Sequence, residues 1–285
     1  MSQNCRYVAI DGTVLKFGYD GKLFLGQGNI REYMYTPYSP YDKIIGFENE
    51  KIKQYQIPLY ISALGAEGVE LRNRVHEVFE RDIDYKNNNP DTQESGKLFI
   101  GDYYLKCFIS GSAPSGYLRN NKILKKQLTV TTDSPVWVKE DNYLFLSVDT
   151  LDSEKRYAYK YPYIYNKAIY RAQYLLNPNV KSANFKIVFE ALTGFVISNP
   201  YILIGENTYR FNITLNEGEK LIINSKSKSI TFVDSNGREI DALYARDKSS
   251  DVFKKIQKGK NLISVSAYTR VHLTLFSERS EPEWI

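Results

Sequence analysis

Residues 202–267 read ILIGENTYRFNITLNEGEKLIINSKSKSITFVDSNGREIDALYARDKSSDVFKKIQKGKNLISVSA. Tyr209, Phe211, Ile213 and Leu215 alternate here with Arg210, Asn212, Thr214 and Asn216. A period of two sends successive side chains to opposite faces of an extended strand, so one row faces a core and the other faces water. Asn216-Glu217-Gly218-Glu219 supplies a turn, because glycine reaches positive φ without a Cβ clash. Residues 221–223 read as a second strand and residues 229–233 as a third. Asn236-Gly237 predicts a two-residue type I′ turn, which needs positive φ at both central positions. Lys258-Gly259-Lys260-Asn261 turns the chain before a last strand at 262–267. The stretch is a series of short antiparallel strands and holds no recognisable catalytic constellation.

The flanks continue the pattern. Phe185, Ile187 and Phe189 alternate with Lys186, Val188 and Glu190, and Asn199-Pro200 marks a turn. Residues 271–276 (VHLTLF) close the sheet, and 277–285 form a short charged tail. Between residues 153 and 178 tyrosine recurs at 157, 159, 161, 163, 165, 170 and 174, and the spacing from 157 to 165 would align the rings on one strand face. That stretch fits core, arm or interface equally well.

The first half is also strand-rich. Residues 14–17 and 22–25 flank Gly18-Tyr19-Asp20-Gly21, a hairpin connection. Tyr33, Tyr35, Tyr38 and Tyr41 crowd a segment holding Pro37 and Pro40, which reads as an extended loop or arm because proline disfavours helix at and before its own position. Such an arm packs on a neighbouring subunit, where tyrosine is enriched, or on its own domain. Residues 54–62 (QYQIPLYIS) read as a strand whose Pro58 suits an edge or a bulge.

Residues 67–82 form the clearest helix. Leu71, Val75, Val78 and Phe79 make one apolar stripe, and Glu70–Arg74 and Glu77–Arg81 are i,i+4 pairs. His76 beside that stripe reads as structural, since the other histidine, His272, is remote in sequence. A polar loop, 87–91, follows. Residues 97–110 read as a hairpin turning at Gly101-Asp102, 112–116 as a loop, and 123–131 as a strand. The composition shifts near residues 137–141, which places a domain junction there, before a strand at 143–148. The expected fold is mainly β, with an N-terminal β-domain carrying one amphipathic helix (1–138) and a C-terminal antiparallel β-sandwich (139–285).

Composition narrows the function. The chain of 285 residues is 42% apolar, with 24 Tyr and 14 Phe, an aromatic share that favours strands. Its 38 basic and 33 acidic residues leave a net charge of +5, too near balance for an electrostatic nucleic-acid binder. The pairs Lys125-Lys126 and Lys254-Lys255 read as solvated surface. Cys5 and Cys107 are the only cysteines, and Cys107 in its apolar run reads as a buried reduced thiol. No long apolar h-region opens the sequence and no run nears 18 apolar residues, so neither a signal peptide nor a membrane span is expected.

Catalytic signatures are missing from the sequence. Ser110-Gly111-Ser112 is no nucleophile elbow, the two histidines form no metal cluster, and Gly26-Gln27-Gly28 lacks the rest of a dinucleotide fingerprint. No catalytic, cofactor-binding or metal residues are assigned. The rival reading is a carbohydrate-binding module, yet Trp137 and Trp284 are not set among His, Asn and Arg on one strand face.

In order along the chain, the helix at 67–82, the hairpin KLFIGDYYLKCFISG, the strand ending LTVTTDSPVW, and the runs YRFNITLNEGEKLIINSKSKSI and QKGKNLISVSA resemble the distal tail protein (Dit) family of long-tailed phages and prophages of Gram-positive bacteria. Asn224-Ser225 stands where the family has an acidic-Ser pair, and Lys258 where Pro is common. The resemblance implies an N-terminal β-domain forming a hexameric ring at the virion tail tip and a C-terminal galectin-like sandwich. It implies no enzyme activity and no cofactor. Implied partners are further copies of the chain, the major tail tube protein, the tail hub or tail-associated lysin and a receptor-binding protein, with assembly in the bacterial host cytoplasm. The regions expected to make ring contacts are the tyrosine arm, the helix face and the 97–110 hairpin. The individual candidates are Tyr33, Tyr35, Tyr38, Tyr41, Leu98, Phe99, Tyr103 and Tyr104.

Overall fold

The computed structural model describes residues 5–18, 22–39, 43–62, 65–118, 122–147 and 173–283. They are mainly β with a single α-helix. The chain divides into two compact units, Met1–Lys139 with Glu278–Ile285, and Glu140–Ser277. The last residues therefore group with the first unit, whereas the sequence reading left them in the second domain.

The first unit holds β1 (Cys5–Val8), β2 (Val14–Phe17), β3 (Leu23–Leu25), β4 (Tyr35–Tyr38), β5 (Gly46–Asn49), β6 (Lys53–Ser62), α1 (Gly65–Asn88), β7 (Gly96–Ile100), β8 (Tyr103–Leu118), β9 (Ile123–Thr132) and the start of β10 (Trp137–Leu146). β1 pairs with β2 and β7, and β7 with the first residues of β8. From Phe108 onward β8 pairs instead with β9, which pairs with β6, which pairs with β3. One long strand thus serves two arrays. Buried side chains of both, including Tyr7, Leu98, Leu105, Ile57, Leu59 and Val130, join Val75, Val78 and Phe79 of α1 in one core. The 3.6-residue period of α1 and the period of two in β6–β9 aim their apolar rows inward, and each such side chain contributes roughly 1.5–3 kcal/mol by leaving water.

The second unit continues with β11 (Gln173–Asn177), β12 (Asn184–Ala191), β13 (Ile197–Ser198), β14 (Tyr201–Ile204), β15 (Asn207–Arg210), β16 (Thr214–Leu215), β17 (Lys220–Asn224), β18 (Ser229–Val233), β19 (Glu239–Asp241), β20 (Gly259–Val265) and β21 (Thr269–Arg279). One sheet runs β19-β18-β17-β12-β21 and the other β11-β20-β14-β15. Phe185, Ile187 and Phe189 of the first and Ile202, Ile204 and Tyr209 of the second are buried in a shared core, an antiparallel β-sandwich. Phe185 meets Tyr209 edge-on at 5.1 Å, and Phe189 meets Phe211 at 5.7 Å.

Several sequence expectations change in detail. The 209–215 row is not one strand. Tyr209, Phe211 and Leu215 are buried as expected, but β15 pairs with β14 and β16 with β13. Between them Phe211 N–H bonds Pro200 O at 3.0 Å and Asn212 N–H bonds Ala245 O at 2.7 Å, so the backbone leaves the ladder. Only Gly237 has positive φ (82°) in the turn after β18. Asp234 there accepts the N–H groups of Asn236 and Arg238 on Oδ1, which makes a longer turn than type I′. Residues 14–17 and 22–25 are strands of different arrays, not a hairpin, since β2 pairs with β1 and β3 with β6.

β6 is an inner strand despite Pro58. β3 ends opposite Leu59, and Gly26 N–H donates to Pro58 O at 2.7 Å, so the missing proline N–H falls where the ladder already stops. The helix runs to Asn88, beyond the expected 82. Residues 112–116 belong to β8, and 277–279 to β21. Of the tyrosine run, residues 157–170 lie outside the described residues, as do Tyr41 and Trp284.

Candidate assembly surface

No group of three or more His, Cys, Asp or Glu able to hold a metal occurs among the described residues. His76 is exposed and meets Glu80 one turn on; His272 meets Glu190. Burial pushes the thiols of Cys5 and Cys107 up to about 12, and both are free and buried. Trp137 is wholly buried, so it offers no face to a sugar.

What the first unit does present is an apolar surface on β4 and β5. These strands pair with each other, Tyr35 opposite Asn49 and Pro37 opposite Phe47, and with no other strand among the described residues. The prolines and the period-two pattern give an extended hairpin, yet no sheet among the described residues buries its apolar side chains. Tyr33, Met34, Tyr35, Tyr38, Ile44, Ile45, Phe47 and Ile52 are all exposed, with Ile45 at 63% and Phe47 at 64%. Scattered surface apolar residues are ordinary; eight along one hairpin and its flanks form a patch of the kind that marks an interface.

The patch is anchored by polar bonds. Arg31 donates through Nη1 to Pro282 O at 2.9 Å, and the Tyr35 hydroxyl bonds Ser280 Oγ. Lys53 Nζ donates to Glu32 O at 2.8 Å, and the Tyr33 and Tyr35 rings meet edge-on at 5.8 Å.

The structure separates the candidates drawn from sequence. Tyr33, Tyr35 and Tyr38 share the exposed hairpin. Leu98 (2% exposed), Tyr103 and Tyr104 are buried in their own unit and cannot face a partner. Leu98 points inward because the alternation of β7 sends it to the core. Phe99, on the other face, packs against Tyr104 at 5.4 Å and lies under the Arg6 guanidinium at 4.0 Å. Sequence reasoning missed Ile44, Ile45, Phe47 and Ile52, although Lys43-Ile44-Ile45-Gly46-Phe47 is an apolar run directly after a proline-rich segment.

Among the described residues the chain has two β-rich units, one α-helix and a hairpin whose apolar side chains are exposed. No protein-family model and no curated protein sequence matches it. Solved structures do. The chain is similar to the SPP1 Dit protein, described as a paradigm of hub adsorption apparatus in Gram-positive infecting phages, at 10% identity and a TM-score of 0.55, covering 96% of this chain and 99% of that one. It is similar to a chain of the phage p2 baseplate in its activated conformation with Sr, at 10% identity and a TM-score of 0.56, covering 98% and 99%. The same baseplate with Ca gives 12% identity, a TM-score of 0.55, and the same coverage. At such identities the likeness shows a shared fold, and the resemblance to the distal tail protein fold holds over nearly the whole chain.

Proposed function

We propose that the chain is a structural protein of a phage tail tip, whose copies form a ring joining the tail tube to the host-adsorption apparatus. The observation that carries this reading is the near-complete coverage of both chains in the match to Dit and baseplate structures. The exposed hairpin supports it, because an apolar patch of that size on a ring subunit is covered once neighbours assemble. The ring body is the first unit, residues 1–139 with 278–285, and residues 140–277 form an attached module. Six copies close the ring, and its partners are the tail tube protein, the hub or tail-associated lysin and a receptor-binding protein. The protein performs no chemistry and resides in the virion tail after assembly in the host cytoplasm.

Light scattering and negative-stain imaging of the purified full chain test this. Ring-sized particles are expected, and Ile45→Ser with Phe47→Ser should lower the mass toward the monomer with the circular dichroism unchanged. A wild-type chain that is monomeric at every concentration sinks the reading.

A second reading, saccharide binding, draws on one observation. Phe195 and Tyr268 stack in parallel at 4.3 Å and are both exposed, and Tyr268 holds a positive φ of 56°. Retention on host cell-wall glycans that Tyr268→Ala abolishes would favour it.

A further inference from the structure

The outer part of β8 is the free edge of the β6-β9-β8 array, here called the arm, from Gly111 opposite Thr129 to Leu118 opposite Ile123. Ser112 to Leu118 are exposed throughout, and no strand among the described residues pairs with their other edge. A free edge invites association unless something covers it. The arm also carries one sign of charge. Among its described residues, 111–118 and 122–129, the basic ones are Lys122, Lys125 and Lys126, and none is Asp or Glu.

The outward face of α1 has the opposite sign. At 3.6 residues per turn, Glu70, Glu77, Glu80 and Asp84 fall in one sector, opposite the buried Val75, Val78, Phe79 and Asp82. Three of the basic residues of α1 are turned to other work. Arg72 donates to Gly68 O, Arg81 meets Asp11, and Lys86 donates to the carbonyls of Pro90 and Thr92. The acidic stripe is left with Arg74 at its margin and His76 beside Glu80.

We propose that the basic arm of one copy docks along the acidic face of α1 in the next copy. This rests on the ring reading above and supplies it with a contact. Arm and helix are different surfaces, so the contact is head-to-tail, the kind that propagates and closes into a ring when the rotation divides a full turn. Charge complementarity of this sort sets partner and register more than raw affinity. It is salt-sensitive, because the screening length shrinks from about 8 Å at physiological salt to about 3 Å at 1 M.

Full-length protein is measured by light scattering at 0.15 M and 1 M salt. The mass is expected to fall at high salt, and Lys125→Glu with Lys126→Glu, or Glu77→Lys with Glu80→Lys, should each abolish assembly. Combining all four reversals in one chain should restore it, an outcome that misfolding cannot mimic. Rings that form in the wild type and survive either reversal would overturn this contact while leaving the ring reading intact. A monomeric wild type overturns both. Salt-dependent retention of duplex DNA that the arm reversal removes, with ring mass unaffected, would assign the arm to nucleic acid instead.

Discussion

Tyr7 in β1 donates its hydroxyl hydrogen to Oδ2 of Asp82 in α1 at 2.6 Å, and the other carboxylate oxygen accepts the Ile10 N–H at 3.0 Å. The pair joins the first strand to the helix across 75 residues inside the core, with Asp82 only 1% exposed. Burial raises the Asp82 pKa above its usual value, although the bonds from Tyr7 and Ile10 pull it down. The Tyr7 hydroxyl is also raised, first by its burial.

A carboxyl whose folded pKa is raised stabilises the fold most below its unfolded pKa and loses that contribution as pH climbs through the folded value. The urea midpoint of the wild type, minus that of Asp82→Asn, is therefore expected to grow as pH falls from neutral into the carboxylate range. A difference independent of pH would show that Asp82 does not titrate in the fold. Tyr7→Phe strands the buried carboxylate without its donor and should cost about 1–3 kcal/mol.

Gly96 sits directly against this pair. A Cβ there would overlap the Tyr7 hydroxyl and lie 2.8 Å from Asp82 Oδ2. Gly96→Ala is expected to destabilise by about 1–3 kcal/mol through overpacking. In the Tyr7→Phe background, which removes that hydroxyl, the cost should shrink. Equal costs in both backgrounds would place the strain elsewhere.

The two thiols, each pushed up to about 12 by burial, are protonated and shielded at ordinary pH. A thiol-specific chromogenic reagent at pH 8 should find almost none of them in the native protein and both in denaturant. Rapid native reaction at either site would contradict the burial of β1 or β8.

Residues 280–283 hold the apolar hairpin through Tyr35 and Arg31. A chain ending at Arg279 loses both partners. Limited proteolysis should then cleave within 33–47 several-fold faster than in the full chain, while the second unit, 140–277, stays intact. Unchanged cleavage would mean that the hairpin is held from elsewhere.

Much of this was readable from the chain because it rests on local periodicity. Phe185, Ile187 and Phe189 declare their core face by alternation alone, and Val75, Val78 and Phe79 declare theirs by helical spacing. What sequence misread depends on where backbone bonds go. Phe211 and Asn212 keep the alternation while their N–H groups turn to Pro200 and Ala245, so one apparent strand becomes two. Ser112 to Gly116 have turn-like composition, yet one edge of their backbone pairs with β9. At the candidate surface the aromatic composition of β7 and β8 pointed equally to core or contact, and only the register sends Leu98 and Tyr103 inward and sets Tyr104 against Phe99 on the other face. Ile44, Ile45 and Phe47 look like core residues until the structure shows them exposed, with no sheet among the described residues behind them.

Because residues from Glu278 onward rejoin the first unit, the second unit is an insertion with two covalent tethers. On the ribosome, the earlier unit therefore waits for its final segment until everything nested within it has been made. The nested module is also, in topology, a cassette, replaceable between two fixed splice points without disturbing the order of strands that enclose it.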